Sequence, residues 1–423
     1  MAVQVDRRKR GWSMWEGALE RFLRRIVRSG DLRVTLPSGR VIGVGEGGPS
    51  FAVRLTDPAL PRRLCLTPEL SFGEAYMDGT LTIEGDDLRG VVGLLTREMS
   101  RAEYLPAWAG IAGRLRDLRR GFDQWNPAHR SQANVAHHYD LSGALYDLFL
   151  DQDRQYSCAY FREPGMTLEE AQAAKKAHVA GKLLLEPGMR VLDIGCGWGG
   201  MALTLARDFG ARVVGVTLSE EQIRIARDRA AAAGLADRVE FRLIDYRKVE
   251  GPFDRIVSVG MFEHVGVPHY REYFGKVRDL LTLDGVALIH TIGRLRPPTS
   301  TNPWITRYIF PGGYCPALSE VAAAVEKAGI EQTDIEVWRH HYAMTLRHWH
   351  DRFMARIDEA RRLYDERFCR MWRFYLIASE VSFTEGHQVV FQVQLARRKD
   401  AVPLTRDYLY PAAAPMPASR AAE

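Results

Sequence analysis

Residues 191–200 read Val-Leu-Asp-Ile-Gly-Cys-Gly-Trp-Gly-Gly. Glycines at 195, 197 and 199, between an apolar strand and a helix, permit a tight turn and let a ligand come close to the backbone. The spacing is GxGxG and not GxGxxG, Asp193 stands two residues before the first glycine, and no phosphate-binding lysine follows. Cys196 reads as a small residue that fits the turn, not as a nucleophile. After the next strand, where a ribose-binding acid is expected, stands Thr217-Leu218-Ser219-Glu220-Glu221-Gln222. Ser219 is also a good helix N-cap with Gln222 at the capping-box position, so capping and ligand binding both stand as readings of these residues. Asp245-Tyr246 follows the third strand, where this type of fold contacts an adenine.

These segments need a frame that brings several strand ends together. From about Gln132 onward, apolar runs alternate with Ala-rich helical stretches: strands at 190–195, ARVVGVTL, RVEFRLID, FDRIVSVG and GVALIHTIG, with helices at 199–209, 219–233 and 269–281. Such alternation predicts an α/β fold, a Rossmann-like parallel sheet with helices on both faces. Residues 346–377 read as one charged, aromatic-rich helical stretch and 388–398 as a final strand. Upstream, LRVTLPSGRVIGVGEG, FAVRLTD and RRLCLTPEL read as β-type runs of a small module ending near Gly79-Thr80, with a helix from about Leu88 to Arg101. The division expected is an N-terminal α+β accessory domain over 1–121, a catalytic domain over 122–400 with the Arg-rich stretch 114–120 as connector, and a disordered tail over 411–423.

The chain has 423 residues and a net charge of +5, all of it within the first 130 residues. Arg7-Arg8-Lys9-Arg10 leads into Trp12, Trp15, Leu19, Phe22, Leu23 and Ile26, which share one helical face, with Arg21, Arg24, Arg25 and Arg28 towards the other. Two readings stand: a helix packed on its own domain, or an interfacial helix whose arginines face anionic lipid. Charges interrupt any signal-peptide core, and no apolar run reaches the ~18 residues that cross a bilayer. Five scattered cysteines without a CxxC pair argue against a disulfide framework and for a reducing cytoplasm. The charge-balanced remainder shows no basic track for nucleic acid. His340, His341, His348 and His350 have no carboxylate at ligand spacing, and neighbours on a strand point to opposite faces, so no metal is expected.

The glycine loop with its preceding Asp resembles motif I of the S-adenosylmethionine-dependent methyltransferases, in which the Asp helps to hold the cofactor's ammonium. More specifically, the chain resembles the cyclopropane-fatty-acyl-phospholipid synthases, with the mycolic acid cyclopropane synthases as relatives. The matching segments run in order: His138-Tyr139-Asp140-Leu141-Ser142, Tyr156-Ser157-Cys158-Ala159-Tyr160-Phe161, VLDIGCGWGG, GVTLSEEQ, DYR, VGMFEHVG (259–266), HTIG (290–293) and WITRYIFPGGY (304–314). GEAYMDG (73–79) is similar to the accessory domain of the phospholipid-acting members.

The resemblance implies methylene transfer to a cis double bond of membrane phospholipids, through a carbocation deprotonated by bound bicarbonate. It assigns the bicarbonate to Cys158, Glu263, His290 and Tyr342, with the backbone of Ile292. It offers Tyr139, Tyr156, Tyr308 and Phe310 as lining for the cofactor and the cation, with Ser157 at the cofactor, while an aromatic core accounts for the four rings equally well. Without the resemblance, Cys158 reads as a small buried residue, Glu263 as a capping group, His290 as a satisfied core histidine and Tyr342 as packing. The resemblance further implies a protein at the cytoplasmic face of a membrane and a homodimer. Two departures stand out. His341 replaces the family's Asp before Tyr342. Ala378-Ser379-Glu380-Val381-Ser382-Phe383-Thr384 replaces Ala-Cys-Ala-Gly-x-Phe-Arg, so an often-cited cysteine is Ser379 here.

Overall fold

The computed structural model describes residues 7–101 and 143–410. Tyr139, the stretch 114–120 and the tail after Tyr410 lie outside them. The chain divides into two compact units. One comprises Met1–Tyr156, Gly293–Ala317 and Arg339–Val389; the other comprises Ser157–Ile292, Leu318–Trp338 and Val390–Glu423.

In the first unit, the helix Arg7–Ile26 is followed by strands β1 (Ser29–Thr35), β2 (Val41–Val44), β3 (Glu46–Leu55) and β4 (Leu81–Ile83). They form a sheet in the order β2-β1-β3-β4, in which β1 pairs β3 in parallel and the other neighbours are antiparallel. The alternating burial of β1 turns Leu32 and Val34 into a core shared with Ile42, Val53 and Leu60. Leu19 and Ile26 are buried in that core and Trp15, Phe22 and Leu23 pack against it. The apolar helical face therefore turns inward, as the packed reading expects, while Arg21, Arg24, Arg25 and Arg28 are exposed. No helix among the described residues is long and apolar enough to cross a membrane.

The β-type run expected at RRLCLTPEL is instead helical, Leu60–Leu66 followed by Pro68–Met77. Pro61 and Pro68 occupy the first turns of the two helices, where a missing N–H costs nothing and the fixed φ suits a helix. The module also continues past Thr80 into β4, which completes the sheet. The single helical stretch expected over 346–377 is three helices, His341–Ala355, Ile357–Leu363 and Glu366–Thr384. Asp365 caps the last of them by accepting from the Phe368 N–H.

The helix Glu366–Thr384 ties this unit together. Gly73 can carry no side chain, because a Cβ there would lie 2.5 Å from Trp304 Nε1 and 2.8 Å from Phe374. The departing segment supplies Glu380, only 3% exposed, whose carboxylate pairs with Arg89 at 3.0 Å and with Arg347. Arg97 meets Glu385 at 2.8 Å one turn further on. The helix Leu88–Arg101 is thus fastened by two ion pairs to the segment containing Ser379.

The second unit holds the seven-stranded sheet, in the order β10-β11-β9-β8-β5-β6-β7. The strands are β5 (Arg190–Ile194), β6 (Arg212–Thr217), β7 (Val239–Leu243), β8 (Phe253–Val259), β9 (Leu281–Arg294), β10 (Glu331–Trp338) and β11 (Gln388–Ala396). Neighbours from β7 through β9 are parallel, and β10 and β11 pair antiparallel. Helices Leu168–Lys182, Gly200–Phe209, Glu220–Ala232, Tyr270–Leu280 and Leu318–Ala328 flank it. The order reverses at β5, so its C-terminal end opens a crevice where ligands of such sheets bind.

Candidate active site

The loop after β5 is shaped by its glycines. Gly195, Gly197 and Gly199 have φ of 82°, 53° and 84°. A Cβ on Gly195 would meet Met261 at 2.8 Å, and one on Gly199 would meet Phe241 at 2.6 Å. A Cβ on Gly197 would meet nothing within 4 Å, so this glycine faces open space and leaves backbone accessible. Cys196 is buried with its thiol pushed well above the ordinary range by burial, consistent with a turn residue.

Asp193, buried at the end of β5, accepts from the Ala202 N–H, while its Oδ2 has no hydrogen-bond partner. Burial raises its carboxyl to about 7, opposed by the positive charge of Lys175. A buried acceptor of this kind suits a cationic ligand group such as an ammonium. Thr217 Oγ1 donates to Gln222 Oε1 at 2.9 Å and accepts from the Ser219 N–H, and Ser219 Oγ accepts from the Gln222 N–H. Ser219 thus caps the helix as expected, but the Gln222 side chain turns to Thr217 and not back to the Ser219 N–H, so no capping box forms, and the partly buried Leu218 lies between two fixed side chains. Asp245 resists its burial because Arg247 binds both carboxylate oxygens, which holds it below the usual carboxylate range. Tyr246 packs edge-on against Tyr273 at 5.4 Å.

At the ends of β8 and β9 stand Glu263, His290 and Ile292. Glu263 Oε1 accepts from the Ile292 N–H at 2.7 Å, so the backbone group expected to face an anion is engaged by the carboxylate itself. Glu263 Oε2 is buried without a partner, and burial lifts the carboxyl from 4.5 to about 7. His290 is 2% exposed, and burial with the charges of Lys175 and Lys182 keeps it neutral at physiological pH. Its Nδ1 pairs with Gln392 Nε2 at 3.1 Å, which leaves the proton on Nε2. Cys158 is buried and its thiol donates to the Ala159 carbonyl at 3.3 Å.

Tyr342 belongs to the other unit, as do Tyr156, Tyr308 and Phe310. There Tyr342 lies against Phe383 at 5.1 Å and Trp349 at 5.8 Å. Tyr156 stacks on Trp349 at 5.1 Å and shares a 2.8 Å hydrogen bond with the Tyr375 hydroxyl. Phe310 packs on Tyr375, whereas Tyr308 donates to Glu74 at 2.9 Å and is thereby turned towards the accessory module. His340 and His341 open a helix instead of lying on a strand, and His350 contacts Asp351 and Arg89. No cluster of three metal-ligating side chains occurs among the described residues.

Sequence reading missed Lys175 and Gln392. Lys175 stands in LEEAQAAKKAHVAGK and Gln392 in the final-strand run QVVFQVQLA, and nothing local in either segment marks a buried polar residue. Both residues are fully buried.

Comparison with known proteins settles the ancestry of this arrangement. A family model described as mycolic acid cyclopropane synthetase matches residues 127–393. The chain belongs to this family. A second model, a domain of unknown function, matches residues 18–101. A probable fatty acid methyltransferase of Pseudomonas putida is 37% identical over 397 residues, 90% of this chain and 96% of that protein. The cyclopropane-fatty-acyl-phospholipid synthase of Escherichia coli K12 is 38% identical over 363 residues, 84% of this chain and 90% of that protein. A crystal structure of the mycolic acid cyclopropane synthase CmaA1 complexed with SAH and CTAB superposes with a TM-score of 0.60 at 35% identity, covering 64% of this chain and 99% of that one. As a mycolic acid cyclopropane synthetase family member, the chain is an enzyme of the S-adenosylmethionine-dependent methyltransferase class, and its seven-stranded sheet is the cofactor-binding frame.

Proposed function

We propose that the protein converts a cis double bond in the acyl chain of a membrane phospholipid into a cyclopropane ring. The buried, half-paired Glu263 carboxyl carries this reading, because ring closure requires proton removal inside a water-poor site. The Escherichia coli relative, a cyclopropane-fatty-acyl-phospholipid synthase by name, supports the phospholipid substrate. S-adenosylmethionine supplies an electrophilic methyl when bound. The alkene π electrons would form the new C–C bond as the methyl–sulfur bond breaks and S-adenosylhomocysteine leaves, and transfer of a proton from that methyl to a base would free the C–H electron pair to close the ring.

In this chain, Asp193 takes the cofactor's ammonium and the Gly195–Gly199 backbone passes beneath it. Thr217, Leu218, Ser219 and Gln222 border the ribose, and Asp245 and Tyr246 the adenine. A bicarbonate would supply a base. Of its five expected ligands, Glu263 and His290 offer suitable groups: the free Glu263 Oε2 can accept the anion's proton, and His290 Nε2–H can donate to it. The Cys158 thiol is directed to Ala159 and the Ile292 N–H to Glu263, so these two act by shaping the pocket. Tyr342 is proposed as a further donor to that anion, and the rings of Tyr156 and Phe310 as lining for the carbocation, an aromatic face being worth ~0.5–2 kcal/mol to a cation.

Residues 1–121 form the accessory domain of this proposal and 122–400 the catalytic domain, a division supported by the separate family matches at 18–101 and 127–393. Arg21 and Arg25 border an open groove with Trp15, Phe22 and Leu66, and Met14 is exposed nearby, which supports attachment to an anionic lipid surface.

A second reading, methyl or methylene addition without ring closure, draws on the Pseudomonas putida relative, a probable fatty acid methyltransferase. The deciding experiment incubates the protein with methyl-deuterated S-adenosylmethionine and monounsaturated phospholipid vesicles, then analyses the fatty acids by mass spectrometry and proton NMR. Cyclopropyl signals with two deuteriums retained establish the ring. An exocyclic alkene or a methyl branch establishes the second reading, and unmodified lipid refutes both.

A further inference from the structure

Lys175 lies on the helix Leu168–Lys182 with no solvent exposure. An ammonium taken out of water is costly unless the fold uses its charge. Its Nζ donates to Ser157 Oγ at 2.8 Å, and one turn earlier Gln172 Nε2 donates to the Ser157 carbonyl at 2.9 Å. Ser157 is therefore held at both side chain and backbone. An ammonium donates and never accepts, so the serine oxygen is occupied as an acceptor and its hydrogen must point elsewhere. Among the described residues, none accepts that hydrogen. A hydroxyl polarised in this way is a donor suited to an anion.

The same ammonium acts on Asp193. Its charge opposes the effect of burial on that carboxyl, whose Oδ2 is unpartnered. A buried cation backing a hydroxyl donor thus stands near a buried carboxylate with a free oxygen. That is the complement of a zwitterion, with the carboxylate directed to Ser157 and the ammonium to Asp193.

We propose that Lys175 is a positioning residue for the amino-acid end of S-adenosylmethionine, making Ser157 a donor to the cofactor carboxylate opposite Asp193. This deepens the cofactor assignment above and rests on it. The ion that Lys175 reads is the carboxylate, so ligands that lack it gain nothing from Lys175.

The test uses full-length protein and calorimetry with three ligands. These are S-adenosylhomocysteine, its decarboxylated analogue, which keeps the amine, and 5′-methylthioadenosine, which lacks the whole amino-acid end. Lys175→Met weakens S-adenosylhomocysteine binding by roughly 10- to 100-fold, the range of a charge-assisted hydrogen bond. Binding of the other two ligands stays as in the unsubstituted protein. Ser157→Ala, which leaves the lysine in place, shows the same selective loss and decides the matter if Lys175→Met fails to fold. Equal loss of all three ligands in both variants shows a merely structural lysine and overturns the proposal. Failure of the unsubstituted protein to bind any of the three overturns the cofactor reading and the proposal with it.

Discussion

Replacing Glu263 by Gln separates the chemistry of this carboxyl from its cost to the fold. The side chain is 7% exposed, and burial raises its pKa from 4.5 to about 7. That rise corresponds to about 3 kcal/mol against the ionised form. Between about pH 4.5 and 7 the folded protein holds the proton while the unfolded chain has released it, so stability falls as pH climbs through this window. Gln keeps the shape and an oxygen for the Ile292 N–H but does not titrate. Its extra N–H groups add a cost that is the same at every pH. In urea unfolding, the variant therefore improves relative to the parent by about 2–3 kcal/mol on going from pH 5 to pH 8. Cyclopropane formation, followed by mass spectrometry, falls at least ~100-fold because proton handling is lost. Affinity for S-adenosylhomocysteine is retained. A stability difference that is the same at both pH values, or loss of S-adenosylhomocysteine binding, would refute the reasoning.

The glycine loop gives a contrast of neighbours. Gly199→Ala forces a Cβ to 2.6 Å from Phe241 and destabilises the fold visibly in thermal melts, whereas Gly197→Ala meets open space, costs only the ~1–2 kcal/mol of a left-handed residue, and chiefly weakens S-adenosylhomocysteine binding. Comparable melting temperatures for the two would contradict this. Glu380→Ala strands two arginines that are 28% and 48% exposed; since water shares their solvation, the loss is about 2 kcal/mol, and an unchanged urea midpoint would show that the pairs are ornamental to stability. The double variant Arg21→Gln/Arg25→Gln weakens sedimentation with anionic vesicles at low salt by about 1 kcal/mol per arginine, and no effect in 0.5 M salt is expected because screening has already removed the attraction. Unchanged binding at low salt would place the lipid surface elsewhere.

Much of the second unit is legible from the residues alone. The parallel strands are short apolar runs closed by turn residues, and the loop after β5 announces itself because three positive φ angles demand glycine. The signals there are local, so each segment carries its own. In the first unit the local signal misleads at Leu60–Met77, where prolines that open helices resemble breaks between strands. The N-terminal helix shows a different limit. Its apolar face is plain in the sequence, but whether that face meets a membrane or its own module depends on residues such as Ile42, Val53 and Leu60, which lie far along the chain.

The sequence by itself determined the α/β frame, the glycine loop after β5 and membership of the family, since dense ordered motifs leave little freedom. Tertiary structure decided the protonation and the company of the candidate site residues. That Glu263 holds a free oxygen, that His290 is neutral with Gln392 behind it, and that Lys175 is buried against Ser157 are all consequences of desolvation by partners distant in sequence. Periodicity reports which side of an element is apolar, but burial and charge follow from what the completed fold packs against it.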